Sequence, residues 1–479
     1  MRFSSKAGLA IAFGALSAVL SGCNGGSSTS YTPAPLVAAG QQISGSPIAH
    51  IIVVTMENRT PDNLFCTAFP ALVNPALAGT PFPGMDLNCP GATSSAAWQS
   101  LASPVDPGHS YQQLVAEWDN GKLDGFALDP VYQFGSSTPV TIPGFATTYV
   151  PPNETIIYST LAATYATADR MFSSGLTASF PGHQFIFAGQ SGAADNPQTS
   201  VWGCDAPANA LAPTFGPNNT AGPGAFPCYD YRTIGDLMDV KGVSWRYYTG
   251  TPGTQDGNID AVGAIRHLRY GPDFGSHVVT PSDAISTDLQ NCSLPSVAFV
   301  NAPALASDHS GTLSAGGPGW IGQLYLQWLQ TKYNAVPNCQ YLNNSAIVLT
   351  WDDSGGWADH VVPATDPQTG RPYGFRVPLI VISPYANHPS VAPVFVSHVP
   401  FTFGSIVRFI EDNFNLGSLG EQDAESADLN TGDLTGMFNY NQKPIPPIAG
   451  LLVQDFQRQV ATSKTTIHTP PGTPVDDDK

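Results

Sequence analysis

The chain has 479 residues, and its 36 Asp and Glu against 18 Lys and Arg give a formal net charge of −18. That length holds one large domain or two smaller ones, and so acidic a chain lacks the basic footprint that nucleic-acid phosphates require, so no nucleic-acid partner is expected. With 47 glycines, 44 prolines and few charged residues, but 10% aromatics, long compact loops are expected rather than a disordered chain.

The N-terminus comes first. Arg2 and Lys6 precede an apolar run from Ala7 to Leu20 that is too short to span a bilayer and has the form of a signal-peptide core. It ends in Leu20-Ser21-Gly22-Cys23, similar to a bacterial lipobox, in which the cysteine is acylated and becomes the first mature residue. The expected organisation is a signal peptide over 1–22, a lipidated tether over 23–46, one globular domain over 47–458 and a polar, Pro-rich tail over 459–479. The expected location is the bacterial cell envelope, with the membrane met only through the lipid on Cys23. Six further cysteines, an even number in an exported chain, suggest disulfides. Pairing neighbours in sequence gives Cys66–Cys89, Cys204–Cys228 and Cys292–Cys339, one of 15 possible connectivities.

Short apolar runs then recur: Ile51 to Val54, Val297 to Val300, Ala346 to Leu349 and Pro378 to Ile382. Continuous rather than alternating apolarity fits strands buried on both faces, as in a parallel sheet. Between them lie helical patterns. Ile321, Leu324, Tyr325, Trp328 and Leu329 recur at helical spacing behind Pro318, and another pattern runs from Ser405 through Ile406, Phe409 and Ile410. Alternation of this kind predicts an α/β fold with a mostly parallel central sheet and helices on both faces.

Polar clusters follow two of the predicted strands. Glu57 and Asn58 come just after the first, and Asp352 and Asp353 just after the third. Ligand sites in open α/β sheets lie beyond the carboxyl ends of the strands. All four side chains offer oxygen ligands, which suits one hard divalent cation, Ca²⁺, Mg²⁺ or Mn²⁺, better than zinc. Either cluster alone reads as strand-end turn chemistry; together they weigh evenly against that reading. The hydroxyl-rich stretch Ser173 to His183 contains Thr177 and Ser179, and such a hydroxyl needs a base or a metal to become a nucleophile. No Gly-x-Ser-x-Gly elbow is present, which counts against a Ser-His-Asp hydrolase. His109, His309 and His360 fall in Asp-containing, Gly-rich settings; a single loop histidine is usually only exposed, and three such are suggestive.

These segments, in this order, resemble the phosphoesterase family of bacterial acid phosphatases and phospholipases C, within the alkaline-phosphatase superfamily. The opening motif is Ile51 to Thr60. Ala168 to Phe172 with Ser179-Phe180-Pro181-Gly182-His183-Gln184-Phe185 is similar to the nucleophile segment. Trp351 to Val361 is similar to the late Asp-Asp…Gly-Gly…Asp-His-Val motif, and Gly374 to Pro378 and Ser405 to Glu411 to the closing segments. The resemblance implies that Glu57, Asn58, Asp352 and Asp353 hold one metal. Ser179 would touch it as the nucleophile, with Thr177 the alternative. His109, His309 and His360 would bind phosphate or protonate the leaving group, and His183 would also face the phosphate. Gly182 and His183 depart from the residues usual in the family. The implied substrate is a small phosphate ester, with an acid-phosphatase-type phosphomonoesterase expected first because the chain ends without the extra C-terminal domains of hemolytic phospholipases C; a phospholipase C is the alternative. A non-catalytic surface lipoprotein is less expected, and so is a sulfatase, because Ser179 to His183 lacks the sulfatase arginine. Three carboxylates around one divalent ion leave the site negative, so phosphate binding would call for protonated histidines and an acidic optimum.

Overall fold

The computed structural model describes residues 43–458, apart from short stretches of which 70–79 (Asn74 excepted), 389–393, 421–431 and 448–453 are the main ones. The expected signal peptide, Cys23 and most of the tether lie outside the described residues, as does the tail over 459–479. The described residues fall in one compact unit.

Eleven strands are described: β1 (His50–Met56), β2 (Val105–Pro107), β3 (Pro130–Gln133), β4 (Val140–Thr141), β5 (Ala166–Ala168), β6 (Trp245–Tyr248), β7 (Val278–Val279), β8 (Val297–Asn301), β9 (Ser345–Trp351), β10 (Leu379–Ile382) and β11 (Phe395–Ser397). Eight form one sheet in the order β11-β5-β10-β9-β1-β8-β6-β7, and β2, β3 and β4 form a small antiparallel sheet. The four predicted strands are present as β1, β8, β9 and β10, and all but the first residue of β1 is buried along their lengths. β1 is parallel to both β8 and β9, while β10 is antiparallel to β9 and β5. Continuous apolarity therefore reported burial of both faces and not direction: β10 runs against its neighbours yet reads like a parallel-sheet strand.

Both predicted helices form. Gly317–Gln330 buries Ile321, Leu324, Tyr325 and Trp328, with Pro318 in its first turn. Phe403–Phe414 buries nearly every residue, and at its start the Thr402 N–H donates to Ser405 Oγ at 3.1 Å. All three expected disulfides are formed, Cys66–Cys89, Cys204–Cys228 and Cys292–Cys339. They mark a chain that folds in an oxidising compartment, as exported proteins do. No helix among the described residues is long and apolar enough to cross a membrane.

Candidate functional site

The sheet order places the expected polar residues together. β1 lies between β9 and β8, with Met56 in register with Trp351. Glu57-Asn58 and Asp352-Asp353 therefore leave the sheet side by side at its carboxyl end. The Asn58 N–H bonds to Asp352 Oδ1 at 3.2 Å and the Asp353 N–H to the same oxygen at 2.8 Å. On the other side the Glu57 N–H bonds to the Ser307 carbonyl at 2.7 Å, which draws in the Ser307–His309 loop.

Ser179 arrives on the helix Ser179–Ala188, all of whose residues are buried. This helix touches the strand end closely: a Cβ on Gly182 would lie 2.9 Å from the Asp352 carbonyl oxygen. Glycine at 182 thus lets Ser179 and His183, one turn apart on the same face, reach the carboxylates. Ser179 Oγ donates to Glu57 Oε2 at 3.2 Å, and His183 Nε2 lies 3.0 Å from Glu57 Oε1 and 3.6 Å from Asp352 Oδ2. The glycines after Asp353 serve close packing too. Gly355 and Gly356 have φ of +60° and +69°, and a Cβ on Gly355 would fall 2.3 Å from that of Asn58.

The donor set fits a cation. Asn58 Oδ1 and Asp352 Oδ2 are buried and have no hydrogen-bond partner. Glu57, His183 and Asp352 bring one ligand atom each to within 4.8 Å of one another. Burial, and then the charge of Glu57, pushes the Asp352 carboxyl up to about 7, against the pull of His183, Ser179 and the Asn58 N–H. Buried oxygens crowded in this way are what a divalent ion relieves. Thr177 is also buried, but its hydroxyl has no hydrogen-bond partner and so does not share Glu57 with Ser179.

The histidines separate. His109 joins the site through Asn58, whose Nδ2 lies 3.2 Å from His109 Nε2, while His109 Nδ1 faces the Pro107 carbonyl at 2.8 Å. The His309 ring stands edge-on to that of His109 with centroids 5.5 Å apart, and its Nδ1 is held by the Ser310 carbonyl at 2.5 Å. Asp106 completes this group. His360 lies elsewhere. Its Nδ1 is 2.7 Å from Asp62 Oδ2 and its Nε2 3.1 Å from Asp86 Oδ1, so its polar contacts are not with Glu57, Ser179 or Asp352. Burial opposes charge on His360, but the hydrogen bond and charge of Asp62 outweigh it and its pKa is raised. Asp62, Asp359 and His360 converge as a metal triplet would. A guanidinium fills that place instead: the fully buried Arg376 bonds to Asp359 at 2.5 Å and Asp62 at 3.3 Å through Nη2.

Sequence reasoning gave no role to Arg59 and Asp308. Arg59 is fully buried, stacks on Trp357 at 4.8 Å and donates twice to the Asp308 carbonyl, at 3.1 and 2.6 Å. Asp308 has a φ of +75°, and its carboxylate accepts from Tyr158 Oη at 2.6 Å and Trp351 Nε1 at 3.3 Å. Together they brace the residue before His309. The sequence signals were the position of Arg59 directly after Glu57-Asn58 and that of Asp308 directly before His309.

The profile of the Phosphoesterase family matches residues 48–417. Among curated relatives, phospholipase C B of Mycobacterium tuberculosis is 24% identical over 454 residues, covering 83% of this chain and 79% of its own. Non-specific phospholipase C6 of Arabidopsis thaliana is 25% identical, covering 82% and 73%. Non-hemolytic phospholipase C of Pseudomonas aeruginosa is 27% identical over a shorter span, 46% of this chain and 35% of its own. Among solved structures, a protein of the alkaline phosphatase superfamily from Vibrio parahaemolyticus matches with a TM-score of 0.36 and 11% identity, covering 83% of this chain and 71% of its own. By its match across most of the described residues, the chain belongs to the Phosphoesterase family and is a hydrolase of phosphoric esters.

Proposed function

We propose that Ser179 is the nucleophile of a two-step phosphoester hydrolysis at the Glu57–Asn58–Asp352–Asp353 site. The observation that carries this reading is the hydroxyl of Ser179 on Glu57, beside two buried oxygens, of Asn58 and Asp352, that lack hydrogen-bond partners. One hard divalent cation, Ca²⁺, Mg²⁺ or Mn²⁺, held by Glu57, Asn58, Asp352, Asp353 and Ser179, would lower the hydroxyl's pKa and offset charge on the phosphoryl oxygens. His183 belongs with this carboxylate group and is a further candidate ligand. In the first step Ser179 Oγ bonds to phosphorus, its proton passes to Glu57, and the bond to the leaving oxygen breaks. His309, with Nδ1 tied to a carbonyl, is the candidate donor of a proton to that oxygen. Water then cleaves the phosphoseryl group and returns the site to its starting state.

Two leaving groups are in view. The names of the relatives support a phospholipid, cleaved on the glycerol side of the phosphate; the sequence reading favoured a small phosphomonoester. Assaying phosphatidylcholine, an aryl phosphate and an aryl sulfate side by side separates them. Preferred turnover of phosphatidylcholine is expected. Preferred turnover of the aryl phosphate would establish the phosphatase reading, and turnover of the sulfate alone would overturn both. The lipobox-like Leu20 to Cys23 supports a lipid anchor. Wild-type protein should partition with membranes and the Cys23→Ser variant should not; a wild type wholly in the soluble fraction would refute the anchor.

A further inference from the structure

We infer that His109 acts as a positioning residue that sets the side-chain amide of Asn58, so that the oxygen of Asn58, and not its nitrogen, is presented to the cation. This rests on the metal-site reading above. The chain of constraints begins at Pro107. Its carbonyl oxygen can only accept, so His109 Nδ1, 2.8 Å away, is the protonated nitrogen. The amide nitrogen of Asn58 can only donate, so Nε2 opposite it is the acceptor. The partner of Nε2 is the Asn58 amide nitrogen at 3.2 Å, which donates to it. Oδ1 must then lie on the opposite edge of the amide, where it is buried without a hydrogen-bond partner.

The rest of Asn58 is already fixed. Its backbone is left-handed, with φ of +62°, its N–H is tied to Asp352 Oδ1, and Gly355 packs against its Cβ. What the packing leaves open is a twofold choice, oxygen or nitrogen toward Glu57 and Asp352. The wrong choice would aim two N–H groups at a cation. A ring pinned by a backbone carbonyl and orienting a ligand through its second nitrogen is the outer-shell arrangement that tunes metal sites. This role also explains why His109, expected to meet phosphate, turns both ring nitrogens toward the protein in this structure.

The test is a double-mutant cycle read by metal affinity. Protein stripped with chelator is titrated with Mn²⁺, following loss of the free-ion paramagnetic resonance signal. His109→Phe keeps a ring but offers no acceptor, and should weaken Mn²⁺ binding by roughly tenfold or more, the size of effect typical of lost outer-shell partners. His109→Gln can accept from the amide through its own carbonyl and should restore affinity to within a few-fold of wild type. Asn58→Asp presents oxygen whichever way it turns, so in that background His109→Phe should cost little. An equal loss in both backgrounds would overturn the proposal, because His109 would then act by packing or direct ligation. Undiminished affinity in His109→Phe would overturn it as well. If His109→Phe does not fold, His109→Gln decides: a loss in the wild-type background as large as that expected for Phe overturns the proposal. Wild-type protein that binds no Mn²⁺ would sink the metal site itself, and that failure is visible before any variant is made.

Discussion

Ser179 and Thr177 are both buried hydroxyls two positions apart, and what separates them is where the helix begins. Ser179 is its first residue and meets Glu57; Thr177 sits before the extended N-cap Ala178. Ser179→Ala removes one small polar group, so it should leave the melting temperature nearly unchanged while turnover falls by at least about a thousandfold, as expected when a nucleophile is lost. Thr177→Ala should stay near the wild-type rate. Steady-state kinetics of the two variants checks this, and the reverse pattern would move the nucleophile to Thr177. Glu57, Asn58, Asp352 and Asp353 were legible in the sequence because they follow apolar runs directly, at a place where sheets bind ligands. Arg376 and its partners were not. Nothing in a single sequence distinguishes a buried arginine from a surface one, and its burial follows only from Asp62 and Asp359 meeting across the fold. For His360, the Asp359 beside it in sequence, with Asp62, ties its segment to Arg376, a set of contacts that no spacing in the sequence shows.

The site depends on how segments approach one another. The helix bearing Ser179 touches the end of β9 at Gly182, where an added Cβ would meet the Asp352 carbonyl at 2.9 Å, an atom that cannot swing aside. Gly182→Ala should therefore push Ser179 away from Glu57, lowering kcat more than it raises KM, with only a modest loss of stability. Kinetics at full metal occupancy checks this; an unchanged kcat would show that the helix shifts without moving the hydroxyl. The departure from the family pattern at 182 has a physical reason that the sequence alone did not supply. Strand content was legible where runs were long. β5, Ala-Thr-Ala, and β11, Phe-Val-Ser, span three residues and β7 only two, too short for any periodicity. β6, Trp-Arg-Tyr-Tyr, carries a charged residue that breaks the apolar run. These four lie toward the two ends of the sheet, away from β1 and β9, whose ends carry Glu57, Asn58, Asp352 and Asp353.

The molecule carries several acids in places where water cannot reach. Burial raises the Asp129 and Asp260 carboxyls to about 7 and Asp308 to about 6, and lifts Glu117 well above its ordinary value, with Asp129 adding to the effect on Glu117. Each holds its proton to higher pH in the folded chain than in the unfolded one. Between the ordinary carboxylate pKa of about 4 and about pH 7 the folded state therefore binds more protons, and stability falls as pH rises through that window. His360 and His267 act in the same direction at higher pH. Against burial, Asp62 and Asp230 respectively hold their pKa values up, and those contributions are lost as pH rises past the raised values. Asp86, Asp119 and Asp230, held low, act below this window, and His50, lowered by burial, opposes it. With chelator present throughout, the melting temperature should be lower at about pH 8 than at about pH 5. A flat or rising trend would mean that these carboxyls are hydrated or paired in solution. The acidic optimum expected from the sequence draws on three histidines, of which His109 contacts Asn58, His309 stands edge-on to His109 and His360 lies in the Arg376 network. The most direct measurement of the central claim is mass spectrometry of enzyme quenched in acid during turnover of a phosphate ester. A phosphoryl group on the peptide carrying Ser179, absent from Ser179→Ala, is the predicted result; phosphate found on another residue, or an active Ser179→Ala enzyme, would contradict the account.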